Sequence, residues 1–350
     1  MKHSVDYGIV EDAKPVMISG VYRSGTTFLS ALLGAHSKLK AASSTIKFLR
    51  FCLGKYGDVR EKDNYCQLVA DTQKRVKVRW GLELDARRVI TKLETKKEQI
   101  TYARIYDILM RDLLHIEHDY DIRWVEKLAV QWADIPYFLD MFPNGKVIHI
   151  FRDPRDVVAS YKNMTFEPGN TFLDAAFNFR SAVETLTELK EKYSERVMVV
   201  KAEEIAKKPV GYAKEICEFL ELDYEDSMVD ARQLHTEGED WASNTSYGIK
   251  YKGLPDGKSR WKEYLTHSEV IFTEMISQPY LTELGYESSE LFPTEEEWMQ
   301  IYSYINEDFL NGRFKKWLRE GKGSQGYRTD PYMHEMKIVF PERFLDKEKI

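Results

Sequence analysis

Apolar positions along this chain fall into two patterns: short unbroken runs and helical repeats. "KPVMISG", ending at Gly20, is a short apolar run closed by a glycine, as expected of a strand buried on both faces of a parallel sheet. "SGTTFLSALLGAH" then places Phe28, Leu29, Leu32 and Leu33 on one helical face, with Gly34 as its stop. "KLKAASS" reads as a second, short strand. "KVIHIF" is a clear buried strand introduced by the "FPNG" turn, and "DPRDVVASYKNM" begins a helix with Pro154 near its first turn. "AFNFRSAVETLTELKEKY" is an amphipathic helix, "RVMVVKAEEI" another strand and "PVGYAKEICEFLEL" another helix. Strand and helix alternate, so the pattern predicts an α/β fold: a parallel β-sheet wound with helices.

Two stretches interrupt that alternation. Residues 46–125 are charged and mixed, with helical patterns such as "YARIYDILMRDLLHIEH", and read as a helical insertion on the substrate side. The α/β domain is expected over residues 1–287. Residues 288–350 are expected to form a mostly helical C-terminal extension packed on it, with "EEEWMQIYSYINEDFLNGRFKKWLREG" as helix and "GKGSQG" as loop. There is no internal repeat and no low-complexity segment.

Charge and cysteine content narrow the classes. The chain of 350 residues carries 51 basic and 57 acidic side chains, a net charge of -6. That gives no global basic field for nucleic acid or an anionic membrane, so any anion site must be local. Cys52, Cys66 and Cys217 are odd in number and lack metal spacing, which fits a reducing compartment. The first residues lack an apolar signal core, and no stretch approaches the roughly 20 apolar residues of a membrane span. The expected location is cytoplasmic. Oligomeric state is not legible.

The candidate chemistry begins at "GVYRSGTT", Gly20 to Thr27. A strand, a glycine turn and a helix make an anion site, because backbone N–H groups and the helix N-terminus converge there. A nucleoside-triphosphate loop carries a lysine after its second glycine, followed by a Ser/Thr for Mg²⁺. Here Thr26 stands in the lysine position, and Arg23 precedes the glycine. A less charged ligand bound without metal suits that change. A second candidate lies in "IHIFRDPRDVVAS". Arg152 ends a buried strand at the ligand edge of the sheet, and Ser160 follows about two helical turns on. The pair is placed to clamp a second anion. An Asp after such a strand can hold Mg²⁺ in a kinase, but Arg152 beside Asp153 is a poor neighbour for a metal. Alternatively, Arg152, Asp153, Arg155 and Asp156 form only surface ion pairs.

The two signatures together resemble the sulfotransferases that use 3′-phosphoadenosine 5′-phosphosulfate, which have a P-loop nucleotide-kinase-like fold. The resemblance covers roughly residues 15–50 and 124–287. It implies transfer of a sulfuryl group to a hydroxyl, or secondarily an amine, of a sugar, lipid, glycan or other small acceptor, with no metal required. By this resemblance Arg23, Ser24, Gly25, Thr26 and Thr27 bind the 5′-phosphosulfate end. Phe28 lies near the adenine, and Arg152 and Ser160 bind the 3′-phosphate. "WVEKLAVQWADIPYF" is similar to a family stretch that puts Lys127 beside Arg23 as a catalytic candidate. "GKSRWKEYL" is similar to the element that closes over the 3′-phosphate, implicating Gly257, Lys258, Ser259, Arg260 and Trp261. "VKAEEIAKKP" places Ala202 where relatives have a tyrosine.

The general base departs from the family pattern. Many relatives carry a glutamate where this chain has Ser43 and Ser44, and no carboxylate occurs from Gly34 to Gly57. His36 reads as structural and His149 as buried in its strand. Glu83, Asp85, His115 and His118 lie in the insertion and show no base pattern. Two further readings stay open: a nucleotide or small-molecule kinase on the same loop, and a nucleotide-binding protein without turnover.

Overall fold

A computed structural model describes residues 6–42, 45–95, 100–116, 121–164, 169–230, 232, 234 and 257–344. Its centre is a five-stranded sheet: β1 (Val16–Gly20), β2 (Leu39–Ala41), β3 (Arg123–Ala129), β4 (Lys146–Phe151) and β5 (Val197–Lys201). The order across the sheet is β2-β3-β1-β4-β5, and every neighbouring pair is parallel. β1 is central, with Gly20 opposite both Ala129 of β3 and Ile150 of β4. The expected wound parallel sheet is therefore present.

Helices cover both faces, as parallel strands buried on two sides require. On one face α1 (Thr26–Gly34) and α10 (Pro209–Leu220) bury Phe28, Leu29, Leu32, Leu33, Ala213 and Ile216 against Ile18, Val125 and Ile148. The other face is larger. It carries α2 (Phe48–Phe51), α3 (Lys62–Trp80), α4 (Ala86–Glu94) and α5 (Tyr102–Leu113), then α6 (Ile135–Met141), α7 (Pro154–Lys162) and α8 (Asp174–Lys192). After β5 come α9 (Ala202–Lys207) and, beyond α10, α11 (Trp261–Tyr264), α12 (His267–Ser277), α13 (Tyr280–Glu283), α14 (Glu295–Ile305), α15 (Asp308–Glu320) and α16 (Pro331–Val339). None of the described helices is long and apolar enough to cross a membrane.

Three elements differ from the pattern reading. β3 does not announce itself, because "RWVEKLA" has Glu126 and Lys127 at its middle. Glu126 is nonetheless fully buried, accepting hydrogen bonds from Lys47 N at 2.7 Å and from the Tyr106 hydroxyl. The run "RVMVVKAEEI" stops as a strand at Lys201, and α9 begins at Ala202. The long helix expected after residue 294 is two, α14 and α15, because Glu307 between them receives hydrogen bonds from Asn170 N and Nδ2.

The segment after Glu287 reaches back across the sheet. Arg313 of α15 donates to Asp174 at 3.1 Å and to Asn178 at 3.1 Å, all three side chains being buried. Tyr327 donates to the carbonyl of Ala129 at 3.2 Å. Glu335 forms a buried pair with Arg75 at 2.9 Å, and Arg343 grips both oxygens of Asp71 at 2.7 Å.

Candidate active site

β1 ends at Gly20, where a Cβ would lie 2.8 Å from Ser24 Oγ and 2.9 Å from the Ile150 carbonyl, so only glycine fits. The chain then turns tightly. Ser24 N bonds the Val21 carbonyl at 3.2 Å, and Ser24 Oγ donates to the same oxygen at 2.6 Å. Gly25 adopts φ 98 as the N-cap of α1, and no side chain caps that helix. α1 therefore starts from a residue without a side chain, with the positive end of the helix dipole facing the loop.

Arg23 and Lys127 reach the loop's two flanks. Arg23 sits in the left-handed region at φ 65, and its Nε donates to Ser160 Oγ at 3.2 Å. Lys127 projects from β3, opposite Ile18, and donates to Thr27 Oγ1 at 2.9 Å. Arg152, one residue past β4, donates to the Arg23 carbonyl at 3.3 Å. Arg23, Arg152 and Ser160 therefore converge on the β4 side, while Thr27 and Lys127 meet on the β3 side. Thr26 is buried at the start of α1.

A cleft of about 510 Å³, its mouth included, opens beside the loop. Gly25, Phe28, Arg152, Gly257, Lys258 and Arg260 line it, with Ala202 and Glu203 at the start of α9. Segments far apart in sequence thus meet at one cleft. Ser259 and Trp261 line the adjoining groove instead. Trp261 is buried there, with the Arg155 guanidinium 4.3 Å from its ring centroid.

The second arginine motif divides its labour. Asp153 caps α7 by accepting from Arg155 N at 2.9 Å, and its carboxylate also holds Arg155 Nε at 2.9 Å and Nη2 at 2.6 Å. Arg155 in turn donates to Glu274 at 2.7 Å. Asp156 accepts from the amides of Arg260 and Trp261 at 2.7 and 3.0 Å, pinning the cleft's outer wall, and burial raises its pKa. These groups are buried, so the alternative of surface ion pairs is corrected for Asp153, Arg155 and Asp156. Of the four, Arg152 and Asp156 line the cleft, and Arg152 is the cation there. Sequence reasoning missed Glu203, which accepts from Asp153 N at 2.8 Å and from the Tyr286 hydroxyl at 3.2 Å. No local signal reveals those partners.

His36 and His149 are both buried. His36 is buried, with Nδ1 accepting from Lys38 N at 3.0 Å and Nε2 against the Asp223 carbonyl at 2.8 Å, which sets its tautomer. His149 is fully buried beside Ser19 Oγ at 3.1 Å, and burial pulls its pKa down to about 3. Asp85 caps α4 by accepting from Arg88 N at 3.0 Å. Ser43, Ser44 and His118 lie outside the described residues.

The chain thus combines a helix-wound parallel sheet with a glycine loop that has no lysine and an arginine–serine pair beside it. The sulfotransferase family model matches residues 15–226, more than half of the chain, and the chain belongs to that family. Among individual relatives, carbohydrate sulfotransferase 1 of Danio rerio is 29% identical over 164 residues, 41% of this chain and 39% of the relative. The chain thus spans about two fifths of that relative's length. The sulfotransferase domain of the Synechococcus PCC 7002 olefin synthase superposes with a TM-score of 0.54 at 17% identity, covering 79% of this chain and 98% of that one. The sulfotransferase domain from the curacin biosynthetic pathway gives 0.52 at 18%, covering 79% and 99%. At such identities the structural likeness establishes the fold alone.

Proposed function

We propose that this protein transfers a sulfuryl group from 3′-phosphoadenosine 5′-phosphosulfate to a hydroxyl, or secondarily an amine, of a small-molecule or glycan acceptor. The observation that carries this is the convergence of Arg23, Arg152 and Ser160 beside the start of α1, which has Gly25 as its N-cap and Thr26 in place of the triphosphate lysine. The residues present fit such a donor. The chain turns tightly between Gly20 and Gly25, and the cleft beside it runs from Gly25 along Phe28 and Ala202. When bound, the donor supplies the sulfuryl group and a phosphate leaving group.

In this reading the loop amides and the Thr26 and Thr27 hydroxyls hold the 5′ end. Arg152 and Ser160 hold the 3′-phosphate, and Gly257, Lys258 and Arg260 close over it, with Ser259 and Trp261 setting the adjoining wall. Phe28 offers its ring to the adenine. Lys127, tethered to Thr27, adds a positive charge on the β3 flank, and Arg23 contributes a permanently charged fork above the loop. Such transfer needs positioning and preorganised charge more than covalent help. The family match over residues 15–226 supports the reading independently of these side chains.

The test is incubation with ³⁵S-labelled donor in EDTA alongside a panel of phenols, sugars and alcohols. The expected result is labelled product without added metal. Label transfer only from γ-³²P-ATP with Mg²⁺ would instead identify a kinase.

A further inference from the structure

The proposed transfer requires something to take the acceptor's proton, and neither His36 nor His149 is placed for it. The strongest unassigned group is Lys47, between β2 and α2. Its backbone is in the left-handed region at φ 49, a conformation costing a residue with a Cβ about 1–2 kcal/mol. Its N–H is held there by the buried Glu126 at 2.7 Å. Arg23 and Val130 are also left-handed, so three such residues surround the same end of the sheet. Strain clustered in this way marks functional edges.

Two links tie Lys47 to the phosphate loop. Arg50, one turn further on, donates to the carbonyls of Ala129 and Val130 at 3.0 and 3.4 Å, and Val130 N bonds the Gly20 carbonyl at 2.9 Å. Lys127, bonded to Thr27, is close enough for its charge to act on Lys47. The Lys47 ammonium lies over the Trp80 ring, 4.7 Å from its centroid, and among the described residues no carboxylate stands within ion-pair distance of it. The charged groups around it are Arg50 and Arg75, Lys127 from β3 and Glu335 from α16. Glu335 already serves Arg75 at 2.9 Å and Arg79 at 3.6 Å.

We propose that Lys47, as the neutral amine, is the general base that accepts the acceptor's proton in the transfer reaction. This rests on the sulfotransferase reading above. As the acceptor oxygen bonds to sulfur and the sulfur–oxygen bond to the leaving phosphate breaks, the O–H electron pair stays with oxygen. The proton goes to Lys47 Nζ, which later returns it to solvent. Burial first, and then the Arg50 guanidinium, pull the Lys47 pKa down to about 8 from 10.5, so a useful fraction is neutral near neutral pH. A positive site beside the loop has an obvious competing role, binding an anionic acceptor, and Lys47→Arg separates the two. Arginine keeps the charge and cannot deprotonate.

The experiment has two arms on the full chain. In the first, reductive ¹³C-methylation followed by an NMR titration compares the wild type with Lys47→Arg. One dimethyl-lysine resonance is expected to titrate near 8 in the wild type and to be missing in the variant. In the second, release of ³⁵S-sulfate from labelled donor, with water as acceptor, is followed against pH. Wild-type release is expected to rise through the same pH, and Lys47→Arg to lose about 100-fold or more. Lys47→His should recover part of the rate, with its rise at lower pH. Adenosine 3′,5′-bisphosphate should bind all three proteins equally. A lysine that titrates at 10.5, or an arginine variant as fast as wild type, overturns the base assignment. Failure of the bisphosphate to bind wild type would instead overturn the sulfotransferase reading on which it rests.

Discussion

Arg152 and Arg155 are three residues apart, yet their surroundings predict opposite consequences for replacement by alanine. Arg155 is buried, gripped by Asp153 at 2.9 and 2.6 Å, bonded to Glu274 at 2.7 Å and stacked on Trp261 at 4.3 Å. Arg155→Ala strands two carboxylates in the interior. Breaking a buried pair from one side costs about 3–5 kcal/mol. At about 1.4 °C per kcal/mol for a chain of this length, the melting temperature should fall by about 4–7 °C. Arg152 is half-buried, and its hydrogen bond among the described residues is a long one, 3.3 Å to the Arg23 carbonyl. Arg152→Ala should therefore change stability by no more than about 0.5 kcal/mol. It removes the charge proposed to meet the 3′-phosphate, however, and a charge-assisted hydrogen bond is worth about 1.5–3 kcal/mol. Affinity for adenosine 3′,5′-bisphosphate should drop by about 10- to 150-fold, while affinity for adenosine 5′-monophosphate barely moves. Differential scanning calorimetry of both variants, and isothermal titration of each with both ligands, give the six numbers needed. Equal loss of the two nucleotides in Arg152→Ala, or a melting temperature unchanged in Arg155→Ala, would refute the division of roles.

Three further outcomes are expected. Arg23→Ala should lose about 100- to 1,000-fold in sulfuryl transfer, the usual effect of removing one donor to developing negative charge, with only about tenfold weaker bisphosphate binding. Arg23→Lys should recover part, and a loss in binding alone would make Arg23 a docking residue. His149 is held neutral with its pKa lowered to about 3, below the 6.5 of the unfolded chain, so its contribution is present above pH 6.5 and is lost as pH falls. Between those values its share of the stability slope should be about 1.4 kcal/mol per pH unit. His149→Asn should remove that share in urea titrations from pH 6 to 4, and an unchanged slope would mean the imidazole charges inside the fold. Ending the chain at Glu287 would strip Arg313 from Asp174, Glu335 from Arg75 and Arg343 from Asp71, leaving several charges unpaired. That shortened chain should lose its single cooperative thermal transition, and a transition at the original temperature would contradict an integral role for the segment.

The local parts of the site were legible because their signals are local. Gly20 and Gly25 mark the turn from β1 into α1 within eight residues, and Arg152 is marked by the apolar run before it. β3 was not legible as a strand, since its burial of Glu126 depends on Tyr106 and the Lys47 amide from other elements. The role of Asp156 is hidden for the same reason, its partners being the amides of Arg260 and Trp261 more than a hundred residues away. Lys47 looked like one charge in a mixed segment. Only packing brings Arg50, Arg75, Lys127 and Glu335 around it. Position-specific chemistry was readable where chain neighbours create it, and unreadable where tertiary burial does.

The central claim is that the cleft beside the loop takes a nucleotide with a 3′-phosphate and needs no metal to do so. Isothermal titration in EDTA tests it most directly, comparing adenosine 3′,5′-bisphosphate with adenosine 5′-monophosphate, and with ATP in Mg²⁺. The expected result is saturable bisphosphate binding in EDTA at least tenfold tighter than either competitor. Tighter binding of Mg·ATP, or bisphosphate binding no stronger than the monophosphate, would contradict it.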